Sequence, residues 1–261
     1  MQHAFETVRE PGRLHDRVTK TLAKRVINAG TGAPVQFPKE ADLCIQLGVS
    51  RTVVRESMKV LADKGLIEMK PRAGTRSTPR SQWRLLDPDI LAWQAEAQPD
   101  VQFLRDLCEV KLAIEPAAAG FAAVRATDDE VAAIERCLDE RRSRAGAATV
   151  DEIIALDLSF HAAVVAASHN RLYRQLCDMI RLPFQTALSC IARFPSTARL
   201  GLDAHEVLLD ALRRHDPLAA SRAAQEVVGI TMLAVEKAAR AEAAGQKTLR
   251  NNTRNKRRNR K

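Results

Sequence analysis

Residues 37–75 read FPKEADLCIQLGVSRTVVRESMKVLADKGLIEMKPRAGT, and the order of elements in this stretch decides the fold. Pro38 stands at the first position of a short helix, in which Ala41, Leu43, Cys44, Ile45 and Leu47 are the apolar residues and which Gly48 ends. Ser50 caps a second helix, whose inward residues are Val53, Val54, Met58, Val60 and Leu61 and which closes at Gly65. Two short helices joined by Leu47-Gly48-Val49-Ser50 make a helix-turn-helix. Beyond them Leu66–Met69 and Thr75–Thr78 flank the turn Pro71-Arg72-Ala73-Gly74, which is the wing of a winged helix. Upstream, Leu14, Val18, Leu22, Val26 and Ile27 lie on one face of a preceding helix that stops at Gly30.

The side chains left outside that pattern point to DNA. Arg51 and Arg55 are four residues apart, so both leave the same face of the first turns of the second helix. That geometry lets a guanidinium grip guanine O6 and N7 while Ser50, Thr52 and the helix N-terminus reach phosphate. Two such arginines alone describe a solvated helix face; at the start of a recognition helix they describe base contact. Lys39 and Lys59 are phosphate contacts, and Arg72 and Arg76, with Gly74 closing the turn between them, put the wing into a minor groove.

Charge agrees. Residues 1–80 carry a net +7, residues 81–246 a net −6 and residues 247–261 a net +8, within a chain of 261 residues and +9 overall. A basic first third joined to an acidic remainder is a polyanion-binding part followed by a part with another task. The last stretch, KTLRNNTRNKRRNRK, has one large apolar side chain and reads as a disordered basic tail (residues 245–261), either solvated or in loose contact with phosphate.

Between tail and wing the chain reads as helices, near residues 100–125, 128–145, 150–168, 171–194, 198–215 and 217–244. Thr127-Asp128-Asp129-Glu130 is a capping box, Asp216-Pro217 a cap with a first-position proline, and Pro183 kinks the helix that contains it. The expected organisation is an extension (1–12), a winged helix-turn-helix (13–80), a connector (81–98) in which Trp83 and Trp93 pack two domains together, and an all-helical domain (99–244). The fold class is therefore mainly α. With 10 aromatic residues in the whole chain an all-β fold is excluded. Five dispersed cysteines without a Cys-x-x-Cys pair suit reduced thiols. No uncharged apolar run approaches the ~20 residues of a membrane span, and the start lacks the pattern of a secretory signal, so the expected setting is cytoplasmic with no membrane partner.

Three residues suit a metal. Asp157 and His161 share a helix face and His205 lies on a later helix; a carboxylate and two imidazoles fit Zn²⁺, with Ni²⁺ or Mn²⁺ as alternatives, although Asp and His at this spacing also occur as a plain surface pair. Such a set opens a second class of function, a metal-dependent enzyme. It lacks support, because the chain has no nucleophile elbow, glycine-rich phosphate loop or His-Glu-x-x-His. A DNA-binding protein of nucleoid type, without effector, is a third. His3, His15, His169 and His215 read as surface or capping residues.

Residues 13–80, through SRTVVRE and GLIEMKPRAG above all, resemble the winged helix of GntR-type regulators. Residues 99–240, through EVKLAIEPAAAGFAA and the preceding QWRLLDPDILAW, resemble the effector domain of the FadR subfamily and its regulators of sugar-acid catabolism. The resemblance implies a homodimeric, ligand-responsive repressor, bound to a double-stranded operator and released by a small carboxylate. The effector expected is a sugar acid such as an aldonate, galactonate among them, or a uronate, and another small carboxylate is the alternative. It also implies a metal at Asp157, His161 and His205, and an effector carboxylate at Lys111, where relatives usually hold arginine; Gln185, near the kink at Pro183, is by its own chemistry a candidate for sugar hydroxyls or a plain surface amide. Two departures stand out. Ala41 replaces a base-contacting arginine, and Val227 stands where many members hold a third histidine.

Overall fold

A computed structural model describes residues 12–30, 33–70, 74–97, 101–144, 146–191 and 201–258. The chain divides into two compact units, residues 1–98 and 99–261.

In the first unit α1 (Gly12–Asn28), α2 (Glu40–Leu47) and α3 (Arg51–Asp63) precede β1 (Ile67–Lys70) and β2 (Gly74–Ser77). A 3-10 turn at Arg80–Gln82 leads to α4 (Pro88–Glu96). Gly48 ends α2 in the left-handed region (φ 65°), and the Ser50 hydroxyl accepts from the Val53 amide at the start of α3. These are the turn and cap that the sequence predicts. Pro38 is a correction: the helix begins at Glu40 after Lys39, whose extended backbone (ψ 153°) makes it the capping residue and leaves the proline just outside. The strands sit one residue away from the expected bounds at all four ends, paired antiparallel with Ile67 opposite Ser77. A third edge, absent from the sequence reading, comes from an isolated bridge between Gln36 and Arg76, with the Phe37 amide donating to Thr75 O.

Val18, Leu22, Val26, Leu43, Val54, Met58, Leu61 and Leu66 form this unit's core. Trp83 and Trp93 belong to the same core, 6% and 7% exposed. The connector reading is thereby corrected: residues 81–98 are part of the first unit, because α4 packs on α1 and both indoles are filled in against it. Asp87 caps α4 and pairs with Lys64 (2.7 Å), whose ammonium lies 5.7 Å from the Trp93 ring centroid.

The second unit is helical among its described residues: α5 (Val101–Arg125), α6 (Asp128–Arg144), α7 (Val150–Ala167), α8 (Arg171–Ile191), α9 (Leu202–Arg213) and α10 (Pro217–Arg258). The Thr127–Glu130 capping box forms, and a second one at Thr149–Glu152 opens α7. Ala119, Ala122, Ala123, Ile134, Leu138, Phe160, Leu208 and Leu212 build the core with Ala220, Ala223 and Ala224 of α10. Small side chains let α5 and α10 lie close; a Cβ on Gly120 would meet Pro217 O at 3.3 Å.

Helix α10 carries one correction. It continues to Arg258, where residues 245–261 read as disordered; after Pro217 the segment has no further proline, and its Lys, Arg, Gln and Leu residues are compatible with a helix. Its stretch Pro217–Lys237 is long and apolar enough to cross a bilayer by length and mean hydropathy, but Arg222 and Glu226 interrupt it, so no uncharged run of that length is present there. Part of that apolar character is its core face, where Ala220, Ala223, Ala224, Val227 and Val228 are buried within the protein.

Candidate functional sites: a DNA-reading helix and a buried polar cluster

On α3 the buried side is Val54, Ser57, Met58 and Leu61, which leaves Arg51, Thr52, Arg55 and Lys59 exposed on the rest of the helix. Arg55 lies 4.0 Å from Glu40 and Lys59 2.7 Å from Glu56, both at the surface, where such pairs are weak and readily exchanged for phosphate. Ser50 and Lys39 are exposed at the starts of α3 and α2. Gly74, at φ 82°, has open space where a Cβ would stand, and Arg76 pairs with Glu68 across the wing. Arg72 lies outside the described residues.

In the second unit Asp157 and His161 of α7 and His205 of α9 come together, with candidate ligand atoms all within 4.8 Å of one another. His205 Nε2 is 3.1 Å from Asp157 Oδ1, and His161 Nε2 is 3.6 Å from Asp157 Oδ2. The other nitrogen of each ring is committed elsewhere. His205 Nδ1 donates to the Gly201 carbonyl, and His161 Nδ1 lies 2.7 Å from Glu115 Oε2. In the metal-binding tautomer, with the proton on Nδ1, both Nε2 lone pairs would face Asp157 and three ligand atoms would converge on one point. A divalent cation suits such a donor set, and a ring proton directed to a carboxylate or carbonyl is the usual support of a metal-bound imidazole. His205 Nε2 is buried without a hydrogen-bond donor. The residues present therefore fit a divalent metal.

Sequence reasoning missed two members of this cluster. Glu115 links the metal set to the effector candidate: its Oε1 accepts from Lys111 Nζ at 2.5 Å while Oε2 faces His161. The other is Arg141 of α6, whose guanidinium lies 3.2 Å from Asp157 Oδ1 and 3.4 Å from His205 Nδ1. The spacing of four from Lys111 to Glu115 was a legible signal; nothing in the sequence places Arg141. Burial alone would raise the Asp157 carboxyl, but hydrogen bonds and charge from His161 and His205 hold it well below the ordinary carboxylate range. Burial opposes ionisation of Glu115 too, and there His161 and Lys111 prevail, lowering it to about 2.

Lys111, buried beneath the Phe184 ring (4.9 Å to its centroid), borders a cavity of about 20 Å³ together with Glu115, His161, Cys177 and Arg181. Such a space suits one or two waters. A six-carbon acid is larger than that space, three of whose lining residues, Cys177, Arg181 and Phe184, belong to α8. Burial pushes the Cys177 thiol up to about 12, which keeps it protonated. Gln185 is half-buried beside Phe184 and is not part of the lining.

Known proteins identify the family of both units. Residues 14–76 match the gntR family of bacterial regulatory proteins and residues 106–229 the FCD domain. The galactonate operon transcriptional repressor of Escherichia coli is 35% identical over 218 residues, covering 82% of this chain and 93% of its own. The Glc operon transcriptional activator of the same species is 26% identical, covering 81% and 84%. A solved Listeria monocytogenes protein, described as Lar, controlling expression of the agr system, superimposes with a TM-score of 0.58 at 13% identity over 90% of this chain and 99% of its own, a likeness of fold. A winged helix with exposed arginines, an FCD bundle and these relatives together place the chain in the GntR family of bacterial regulatory proteins, as a ligand-responsive, DNA-binding transcriptional regulator and not an enzyme.

Proposed function

We propose that this chain is a cytoplasmic repressor of a sugar-acid catabolic operon, released from its operator when an aldonate or uronate binds the second unit. The observation that carries the reading is the 35% identity to the galactonate operon repressor across most of both chains. Binding as a homodimer to two half-sites supplies specificity that one α3, reading a few base pairs, lacks. Arg51 and Arg55 read bases, with Ser50, Thr52, Lys39 and Lys59 on phosphates and the wing, including Arg72, Gly74 and Arg76, alongside. In the second unit the effector carboxylate pairs with Lys111, Arg181 stands at the same cavity, and Gln185 bonds a hydroxyl once α8 has shifted. Asp157, His161 and His205 hold a divalent metal, Zn²⁺ by preference and Ni²⁺ or Mn²⁺ otherwise, which when bound supplies a positive centre for a carboxylate or hydroxyl of the effector. Glu115 orients His161 for that task and keeps Lys111 charged in its buried position.

A regulator answering to another small carboxylate is the second reading, favoured by the similarity to an activator of a different operon at 26% identity. A thermal-shift series of galactonate, other aldonates, uronates, glycolate and lactate separates the two. A specific ligand at a hundred times its dissociation constant raises stability by about 2.7 kcal/mol. A shift with glycolate or lactate and none with any sugar acid overturns the first reading.

A further inference from the structure

A metal at Asp157, His161 and His205 must use the carboxylate that Arg141 already holds. Zinc ligands stand about 2.0–2.2 Å from the ion, so an ion touching Asp157 and both Nε2 atoms lies within a few ångströms of the guanidinium that sits 3.2 Å from Asp157 Oδ1. The Arg141 side chain is 4% exposed, so little water screens one cation from the other. Arginine cannot relieve the conflict by losing a proton, as a lysine or histidine would. The two carboxylates described in this cluster each already have a cation beside them, Arg141 at Asp157 and Lys111 at Glu115.

Resting on the reading of this cluster as a metal centre, we propose that Arg141 is a resident competitor for the metal: it occupies Asp157 Oδ1 in the metal-free protein, gives that oxygen up when a divalent ion enters, and so sets how tightly the site takes metal. The exchange is a swap of cations on one carboxylate. Its long flexible stem, rising from α6 while the ligands sit on α7 and α9, lets the guanidinium withdraw without moving a ligand helix.

The experiment measures zinc affinity of the full-length protein against a fluorescent zinc indicator, for wild type, Arg141→Met, Arg141→Gln and, as a control without a site, His161→Ala. Arg141→Met keeps the apolar bulk, and Arg141→Gln keeps a hydrogen-bond donor for Asp157 while removing the charge. Both are expected to bind zinc at least ten-fold more tightly than wild type. In the metal-free state Arg141→Met should melt below wild type, having left a buried carboxylate without its cation, and should gain more in melting temperature on adding zinc. Zinc affinity equal to or below wild type in both variants, with wild-type circular dichroism, overturns the competitor role and leaves the metal centre standing. Absence of zinc binding in wild type and both variants alike overturns the metal centre and the competitor role with it. Should Arg141→Met not fold, Arg141→Gln decides alone.

Discussion

Gly65 and Gln82 approach so closely that no side chain fits between them: a Cβ on Gly65 would lie 2.2 Å from the Gln82 carbonyl oxygen, and the glycine backbone is left-handed at φ 78°. Gly65, two residues beyond the end of α3, turns the chain into the wing, while Gln82 closes the 3-10 turn that leads to α4. Backbone presses on backbone here, so neither neighbour can yield by a rotamer change. Gly65→Ala is expected to destabilise the first unit by about 2 kcal/mol or more, combining strain at positive φ with displacement of the α4 lead-in. Differential scanning calorimetry checks it; an unchanged melting profile would mean that the contact relaxes freely.

Arg51→Ala and Arg55→Ala should each weaken binding to a specific operator by about 1–3 kcal/mol and to random DNA by less. Lys59→Ala, a phosphate contact, should instead weaken both DNAs alike and lower the slope of log affinity against log salt by about 0.9. Fluorescence anisotropy with labelled duplexes at several salt concentrations distinguishes them, and equal losses on both DNAs for the arginine variants would remove base readout from α3.

Acid should loosen the first unit through Asp87. Burial would raise this carboxyl, but the Lys64 ammonium and the α4 amides of Asp89 and Ile90 hold it below its ordinary value. A carboxylate lowered on folding contributes stability that is present above its unfolded value of about 3.9 and is lost as pH falls through the lower folded one. Asp87→Asn preserves a capping side chain and removes the charge. It should cost about 0.5–1 kcal/mol at pH 7, since Lys64 keeps Asp89 at 2.8 Å, and should flatten the acid limb of the stability curve. An unaltered acid limb would assign that loss to other carboxylates.

His161→Ala and His205→Ala should abolish metal uptake and the response to effector, yet leave operator affinity without effector within about two-fold, as neither residue belongs to the DNA-binding unit. Metal analysis of untagged protein, alongside operator binding, tests this. Either variant responding to effector at wild-type concentrations would detach effector recognition from the metal set.

The helices of both units were legible because their apolar periodicity and stop signals agree; α5, α6 and α7 start and end within a residue or two of the expected bounds. Less of the site was legible. Asp157, His161 and His205 converge as the family resemblance implied, whereas Arg141 reaches them from α6 by a tertiary contact that leaves no periodic trace. Trp83 and Trp93 announced burial but not against what, since an indole in a short irregular stretch serves equally to join two domains or to finish one. The capping box Thr149–Glu152 could have been found, as its Thr-x-x-Glu spacing is the same signal that located Thr127–Glu130.

The chain holds two tryptophans, and both lie in the core of the unit that reads DNA, while its single tyrosine, Tyr173, is on α8 of the other. Indole emission from this protein is thus a one-ended reporter. A ligand settling among Lys111, Arg181 and Phe184 changes that emission only if its effect travels into the first unit, whereas calorimetry registers the binding itself. Titrating one sample by both methods separates occupancy from transmission without a label or a substitution: a variant that binds with full heat and no optical change has lost the coupling between units and kept the site.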